Sequence, residues 1–514
     1  MKKARKLLRI IFGRTAFVVM SLLLQISILL AGFRFLSHYM VYIYGGFTLL
    51  SAFVILYVVN KDENPSFKLA WIIPITVIPV FGTLLYLFLE LQWEGKIINR
   101  KLRENISDTQ PYLKQNPRYM EQLAKTSRSN ANLAAYIENS GSYPVYGNTN
   151  VKYYPVGEEM FEDMKKELEK AKRFIFMEYF IVERGEMWDS LLEILERKVQ
   201  EGVEVRFMYD GMGNLFTLPH GYEKAMQEKE IQCKIFAPVR PALSSYQNNR
   251  DHRKITVVDG KIGYTGGYNL ANEYFNITHP YGQWKDTGVR MEGDAVRSLT
   301  AAFLEMWNAS IRTENDEDTV LGTYFPTYAA EGNGFIQPYA DSPLDDEHVG
   351  EEVYISMANK AEKYCWFITP YLIITDEMAH ALSLAAKRGV DVRIITPGIP
   401  DKKMVYNVTR SFYNCLVRNG VRVFEWTPGF CHAKMSVADD CMATCGTINL
   451  DYRSLYHHFE NGCFMADCDA VADIRADFER MMAQSREVTR QYREGRSATL
   501  RLGQLVMRFF AELL

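Results

Sequence analysis

Polar and apolar positions change pattern along the chain, and three regimes follow. Residues 1–61 contain no Asp or Glu, and three apolar runs follow one another at 15–33, 39–59 and 69–89. Each has about the ~20 residues that cross a bilayer as a helix. The third run carries Pro74 and Pro79, which membrane helices tolerate better than soluble ones. A polar, helix-prone stretch at 92–133 follows, expected to be a stalk. Beyond Gly141–Pro155, which reads as turns and short strands, apolar blocks of strand length alternate with amphipathic helical ones. Glu158–Lys170 predicts a helix, Arg173–Val182 a strand, Trp188–Gln200 a helix stopped by Gly202, and Val203–Tyr209 a strand.

The same order returns further on. Val353–Lys363 predicts a helix, Tyr364–Thr369 a strand, Glu377–Lys387 a helix stopped by Gly389, and Val390–Ile395 a strand. GVEVRFMYDG at Gly202–Gly211 matches GVDVRIITPG at Gly389–Gly398. The expected fold is therefore α/β and duplicated. Each domain is a mixed sheet flanked by helices, at 134–315 and 316–490, preceded by N-terminal transmembrane helices within an anchor at 1–91. The junction Thr313–Asp346 is rich in Gly, Pro and acidic residues and reads as linker. The last stretch, 491–514, alternates Leu and Phe with Arg501 and Arg508. It reads either as an amphipathic helix on a membrane surface or as a helix docked on the domain.

The repeat is sharpest in two polar stretches, HRKITVVDGKIGYTGGYN from His252 and HAKMSVADDCMATCGTIN from His432. Both have His, Lys two residues on, Asp, Gly and a closing Asn at the same spacing. A lone His-x-Lys is weak; two copies matched at five positions define a repeat that carries a site. On a strand, His252 and Lys254 point the same way, as do His432 and Lys434. With Asn269 and Asn449 added, two converging sets make a cationic, donor-rich pocket suited to a phosphate group. Asp259 and Asp439 complete the motifs; each follows an apolar run and is better placed as a structural partner than as a base. Gly266, Gly267 and Gly446 read as tight turns that let backbone approach the phosphate.

Composition narrows the substrate. A formal net charge of -3 and the absence of a basic bias argue against a general nucleic-acid binder. Eight cysteines form no close Cys-x-x-Cys pair, so neither a zinc site nor a disulfide framework is expected. No cofactor is called for. Lys2, Lys3, Arg5, Lys6, Arg9 and Arg14 precede the first apolar run, and Lys96, Arg100, Lys101 and Arg103 follow the third. Keeping both groups in the cytoplasm requires an even number of crossings. The second and third runs then form a hairpin, while the first lies in the interface or re-enters. Three full spans with the large domain outside are the alternative.

The paired stretches resemble the HKD motif of the phospholipase D superfamily. Asn64–Phe88, WKDTGVRMEG at Trp284–Gly293 and GTINLDYRSL at Gly446–Leu455 resemble bacterial cardiolipin synthases. The resemblance covers essentially the whole chain. It implies two phospholipase D-like domains sharing one cleft, with His252, Lys254, Asp259, His432, Lys434 and Asp439 as motif residues. It also implies a carboxylate orienting each histidine: Glu460 for His432 and Asp286 for His252, with Glu273 as the rival in the first half. His458 departs from the family, which more often has Asn there. The implied reaction transfers a phosphatidyl group between two phosphatidylglycerols through a phosphohistidine, releasing cardiolipin and glycerol. His252 is favoured as nucleophile and His432 as acid/base, though the symmetry of the copies leaves the roles open. A phospholipase D, or a transferase using another alcohol, would share every one of these residues. A nuclease would predict a basic groove and no membrane segment, and a non-enzymatic scaffold would tolerate damaged motifs. The expected location is the cell membrane, multi-pass, with the catalytic domains cytoplasmic and an oligomer compatible with the sequence.

Overall fold

In the computed structural model the described residues are 26–27, 30, 40–90, 94–239, 248–310, 320–345 and 347–494. Most of the first apolar run, its basic flank, part of the 313–346 junction and 495–514 of the C-terminal segment lie outside them. The chain divides into two compact units, Met1–Ile97 with Pro238–Asn249, and Ile98–Ala237 with Arg250–Leu514.

In the first unit the second apolar run forms one helix, Met40–Asn60. The third run does not form a single helix. It breaks into Pro65–Val77 and Pro79–Glu90 at Ile78, where ψ is 73°. A residue before proline is driven out of the helical region, and Pro79 then starts the next helix. The turn is tight because Gly82 packs against the Pro74 carbonyl, where a Cβ would lie 2.6 Å from its oxygen. Val54, Val58, Ile75 and Tyr86 form a small core, with Trp71 edge-on to Tyr86 at 5.3 Å. The side chains of Met40–Asn60 are described only from Gly45 on. Among the described residues no helix is long and apolar enough to cross a membrane. The expectation of membrane-crossing helices at 39–59 and 69–89 is corrected to that extent.

The second unit contains two sheets built to one plan. The first-half strands are β1 (Thr149–Tyr154), β2 (Phe174–Tyr179), β3 (Glu204–Asp210), β4 (Gln232–Phe236), β5 (Arg250–Asp251), β6 (Lys254–Val258), β7 (Ile262–Gly266), β8 (Gln283–Lys285) and β9 (Gly288–Gly293). The second half adds β10 (Phe335–Asp341), β11 (Tyr364–Ile368), β12 (Leu372–Ile373), β13 (Asp391–Pro397), β14 (Arg422–Trp426), β15 (Gly429–Cys431), β16 (Met435–Ala438), β17 (Met442–Gly446), β18 (Leu450–Asp451), β19 (His458–Ala466) and β20 (Ser485–Glu487). The sheet orders are β1-β9-β7-β6-β2-β3-β4 and β10-β19-β17-β16-β11-β13-β14-β20. In each, the last three of the seven equivalent strands run parallel and the rest pair antiparallel. The sheets are thus mixed and duplicated, as expected.

Buried strand side chains such as Phe174, Phe176 and Phe207 explain the unbroken apolar runs. The helices Gly157–Lys170 and Glu186–Gln200 place Met160, Met164, Leu168, Leu191 and Leu195 in the first-half core. The polar stretch expected to be a stalk is not one over the part that belongs to this unit. Leu102, Leu113, Leu123 and Leu133 are buried, Asn105 donates to the Glu305 carbonyl at 2.9 Å, and Asn130 donates to that of Cys441 at 3.2 Å. Its leucines cover the α/β body, a role that its high polar content hides.

Two short strand pairs join the halves, and they decide the site. β5 runs parallel to the start of β19, and β8 runs parallel to β15. Each therefore delivers one motif histidine to a strand of the opposite half.

Candidate active site

His252 follows β5 and precedes β6; His432 stands in the same place between β15 and β16. The His252 backbone N–H donates to the Phe459 carbonyl at 2.9 Å, and that of His432 donates to the Lys285 carbonyl at 2.7 Å. Phe459 and Lys285 immediately precede Glu460 and Asp286. The backbone pairing thus sets each histidine beside a carboxylate of the other half. His252 Nδ1 lies 2.8 and 2.9 Å from the two oxygens of Glu460, and His432 Nδ1 lies 2.7 Å from Asp286 Oδ2. The expected assignment, Glu460 to His432 and Asp286 to His252, is corrected: the two pairs are crossed. Glu273 pairs with neither. It lines the cavity half-buried, and burial raises its carboxyl pKa.

An ionised carboxylate only accepts hydrogen bonds, so each Nδ1 carries the proton and each Nε2 keeps a lone pair. Burial, then the Lys254 and Lys434 charges, holds His252 well below its ordinary pKa. Burial and Lys434 bring His432 down to about 4 against the opposing pull of Asp286. Both imidazoles are therefore neutral near pH 7 when no substrate is bound. Burial works to raise Asp286, but His432, charged at the low pH where Asp286 titrates, Lys434, and hydrogen bonds from His432 and the Thr287 N–H outweigh it and hold that carboxyl below its ordinary range.

The motif lysines are fully buried behind the histidines. Lys254 Nζ donates to the His252 carbonyl at 2.5 Å, and Lys434 Nζ lies 2.8 Å from His432 Nδ1 and also donates to the His432 carbonyl. Burial draws Lys254 down to about 7 and Lys434 to about 8. Asn269 and Asn449 both line the cavity. Asn269 Oδ1 accepts from the Ile181 N–H at 3.0 Å, and its amide donates to Tyr274 at 2.8 Å. Asn449 Oδ1 is buried and has no hydrogen-bond partner among the described residues.

Asp259 and Asp439 do not reach the cavity, so their place among the catalytic candidates is corrected. Asp259 accepts the backbone N–H groups of Lys172, Arg173 and Phe174 at 3.0, 2.8 and 3.0 Å. Asp439 accepts those of Glu362, Lys363 and Tyr364 at 2.6, 2.9 and 2.9 Å. Each sits at positive φ, 55° and 53°, and ties the motif hairpin to the start of the neighbouring strand. They fix the register of β6 on β2 and of β16 on β11. The glycines also act differently from the expectation. A Cβ at Gly267 would strike Asp286 Oδ1, and one at Gly446 would lie 2.5 Å from the Asn461 carbonyl oxygen. The space they leave is taken by the carboxylate-bearing strands rather than by a ligand.

Glu460 has two hydroxyl supports, a role that the sequence does not assign. Thr447 and Ser454 both donate their hydroxyls to it. Their signal was present in GTINLDYRSL, but only the fold brings them to one carboxylate. The shared cavity has a volume of about 400 Å³. Tyr274, Tyr281, Trp284, Tyr371 and Phe430 line it on the His432 side, and Arg250, Lys402 and Arg453 contribute cations. Trp284 and Phe430 stand 5.5 and 5.8 Å from the His432 ring.

Two neutral imidazoles, each anchored at Nδ1, facing one cavity backed by lysines, define a two-histidine phosphoryl-transfer site on a duplicated α/β fold. Residues 164–307 and 354–482 match the family described as "Cardiolipin synthase, PLD-like domain", and 48–89 match "Phospholipase_D-nuclease N-terminal". The chain belongs to the cardiolipin synthase, PLD-like family of the phospholipase D superfamily. It is 45% identical to an uncharacterized protein of Streptococcus mutans, over 90% of this chain and 99% of that one. It is 32% identical to cardiolipin synthase 2 of Bacillus cereus, over 90% of each chain. The phosphatidylserine synthase of Haemophilus influenzae shares the fold, with a TM-score of 0.55 and 15% identity over 76% of this chain and 98% of that one.

Proposed function

We propose that this protein is a cardiolipin synthase, a phosphatidyltransferase that joins two phosphatidylglycerols and releases glycerol. The observation that carries the chemistry is the crossed pair of anchored histidines on one cavity. The name of the Bacillus and Alkalihalophilus relatives, at 31–33% identity over most of the chain, carries the substrate.

In this reading His252 Nε2 attacks the phosphorus of the first phosphatidylglycerol. A P–N bond forms and the bond from phosphorus to the glycerol oxygen breaks; His432, which takes up a solvent proton at Nε2 before this step to become the imidazolium facing Asp286, gives that proton to the leaving glycerol. His432 then takes the proton from a hydroxyl of the second phosphatidylglycerol. That oxygen displaces His252, the P–N bond breaks, and cardiolipin leaves. One phosphodiester replaces another, so no external energy source enters. Asp286, held ionised, stabilises the imidazolium that His432 must become, which favours His432 as the acid/base and His252 as the nucleophile. Asn269 and Asn449, through their amide N–H groups, are assigned to the phosphate oxygens, and Lys254 and Lys434 supply positive charge from behind the histidines, where charge grows in the transition state. The aromatic wall beside His432 suits a lipid and keeps water from the P–N bond.

Residues 1–91 are assigned to the membrane, with both catalytic halves on the cytoplasmic side. Within the first unit Leu49, Phe53, Leu56, Leu69, Val77 and Phe88 each expose half or more of their surface, an apolar face suited to lipid.

The test uses the full chain in detergent–lipid micelles with head-group-labelled phosphatidylglycerol. Cardiolipin and free glycerol, lost in both His252→Ala and His432→Ala, are expected. Phosphatidic acid as the sole product would make water the acceptor and overturn the synthase reading while leaving the two-histidine chemistry in place.

A further inference from the structure

The two halves differ two residues before each orienting carboxylate. Ahead of Asp286 stands Trp284, 5.5 Å from the His432 ring; ahead of Glu460 stands His458, 5.3 Å from the His252 ring. His458 is only 8% exposed and lines the cavity, and among the described residues neither of its ring nitrogens has a hydrogen-bond partner. Buried polar groups are rarely left so, because an unmet donor or acceptor costs stability. Its Nδ1 is 3.7 Å from Glu460 Oε1, too far for a good hydrogen bond. One nitrogen of His252, one of His458 and one oxygen of Glu460 all lie within 4.8 Å of one another. Two imidazoles and a carboxylate are a ligand set for Zn²⁺ and similar divalent ions, with a fourth position left to the cavity.

We propose that His252, His458 and Glu460 bind a divalent transition-metal ion, Zn²⁺ being the reference, and that the ion inhibits the enzyme. The ion replaces the proton at His252 Nδ1, between that nitrogen and Glu460. The single proton of the neutral imidazole then resides on Nε2, which no longer has a lone pair for phosphorus. Thr447 and Ser454 continue to hold Glu460 in place, as ligating carboxylates usually are held. Lys254 and Lys434 oppose the ion. The second half has no such site, because Trp284 offers no lone pair. The inhibitory consequence rests on His252 acting as nucleophile; the binding site itself does not.

The experiment takes the full chain in detergent, stripped with EDTA, and titrates it with Co²⁺ and then Zn²⁺. A visible Co²⁺ absorption saturating at one equivalent and displaced by Zn²⁺ is expected. In His458→Asn, zinc affinity should fall by about tenfold or more. Zinc inhibition of lipid transfer, referred to each protein's own metal-free rate, should weaken by the same factor. His458→Gln serves as a second variant, with circular dichroism in EDTA as the folding check. Absence of one-equivalent binding in the wild type, or equal zinc affinity and inhibition in a folded His458 variant, overturns the proposal. Zinc binding that depends on His458 in a protein yielding no lipid product sustains the site and overturns the functional reading instead.

Discussion

The two motif histidines occupy equivalent places in equivalent sheets, yet what lies behind them is opposite in character. His252 is flanked by Arg250, Asp251 and Arg253, all buried. Arg253 donates to the Ala302 carbonyl at 3.0 Å, and the Asp251 N–H is accepted by Asp210 at 3.1 Å. Glu178, fully buried on β2, faces Asp251, and burial followed by the Asp251 charge raises its pKa well above the ordinary value. At the matching places of the second half stand Phe430, Cys431, Ala433 and, on β11, Ile368, all buried. The orienting carboxylates differ as well. Glu460 reaches Thr447 with its longer side chain, whereas Asp286 fits against Gly267, which occupies the Thr447 position in the first motif. The motif histidines, lysines and asparagines keep the duplication, and the groups around them have lost it. Duplicated geometry therefore does not make duplicated chemistry, and the two histidines are free to take different roles.

The largest effects should come from the crossed carboxylates. Asp286→Asn and Glu460→Gln should each lower transfer on the order of 10²-fold, through a histidine of the opposite half. Rapid-quench labelling separates the two. Glu460→Gln should slow formation of the phosphohistidine, while Asp286→Asn should slow both its formation and its transfer to the second lipid, with the label at His252. The reverse pattern would exchange the roles of the two histidines.

Next comes the Gly267/Thr447 contrast. Gly267→Ala puts a methyl where Asp286 Oδ1 stands and should depress turnover more than Thr447→Val does. The latter removes one hydrogen bond to a buried carboxylate, worth about 1.5–3 kcal/mol. Steady-state rates on folded protein check the order, and equal losses would show that the two carboxylates are held with equal tolerance.

The pH profile is a smaller effect. A nucleophilic imidazole must be neutral, and His252 is held well below its ordinary 6.5, with His432 at about 4. The acid must by contrast be protonated, and His432 holds its proton only near pH 4, so the kcat/KM of the free enzyme should rise as pH falls through 6.5 instead of declining there. A limb centred at 6.5 would place an ordinary, solvated histidine in control.

The smallest effect on chemistry is expected at the motif aspartates. Asp259→Asn or Asp439→Asn weakens three backbone hydrogen bonds and should cost about 1–3 kcal/mol of stability. Turnover per folded molecule should be retained. Thermal melting beside active-site titration checks this, and a turnover loss without a stability loss would return these residues to the catalytic set.

The α/β alternation, the duplication and the two His-x-Lys motifs were legible in the sequence because each rests on local periodicity or on repeated spacing. Strand and helix positions from Glu158 to Tyr209, and again from Val353 to Ile395, follow from unbroken apolar runs in the strands and from one buried face in each helix. Three features were not legible. The carboxylates are crossed because β5 pairs with β19 and β15 with β8. Such pairing depends on how two sheets meet, and short strands of two or three residues leave no periodic trace. Gly267 and Gly446 make room for neighbouring strands far away in sequence, so local turn logic misassigned them. The break at Ile78 was readable from Pro79, whereas the packing of Leu102, Leu113, Leu123 and Leu133 onto the body was masked by polar neighbours. The sequence by itself determined which groups carry the chemistry. Only the tertiary structure decided which carboxylate serves which histidine, because that choice is made by hydrogen bonds between halves whose partners lie some 150 to 210 residues apart.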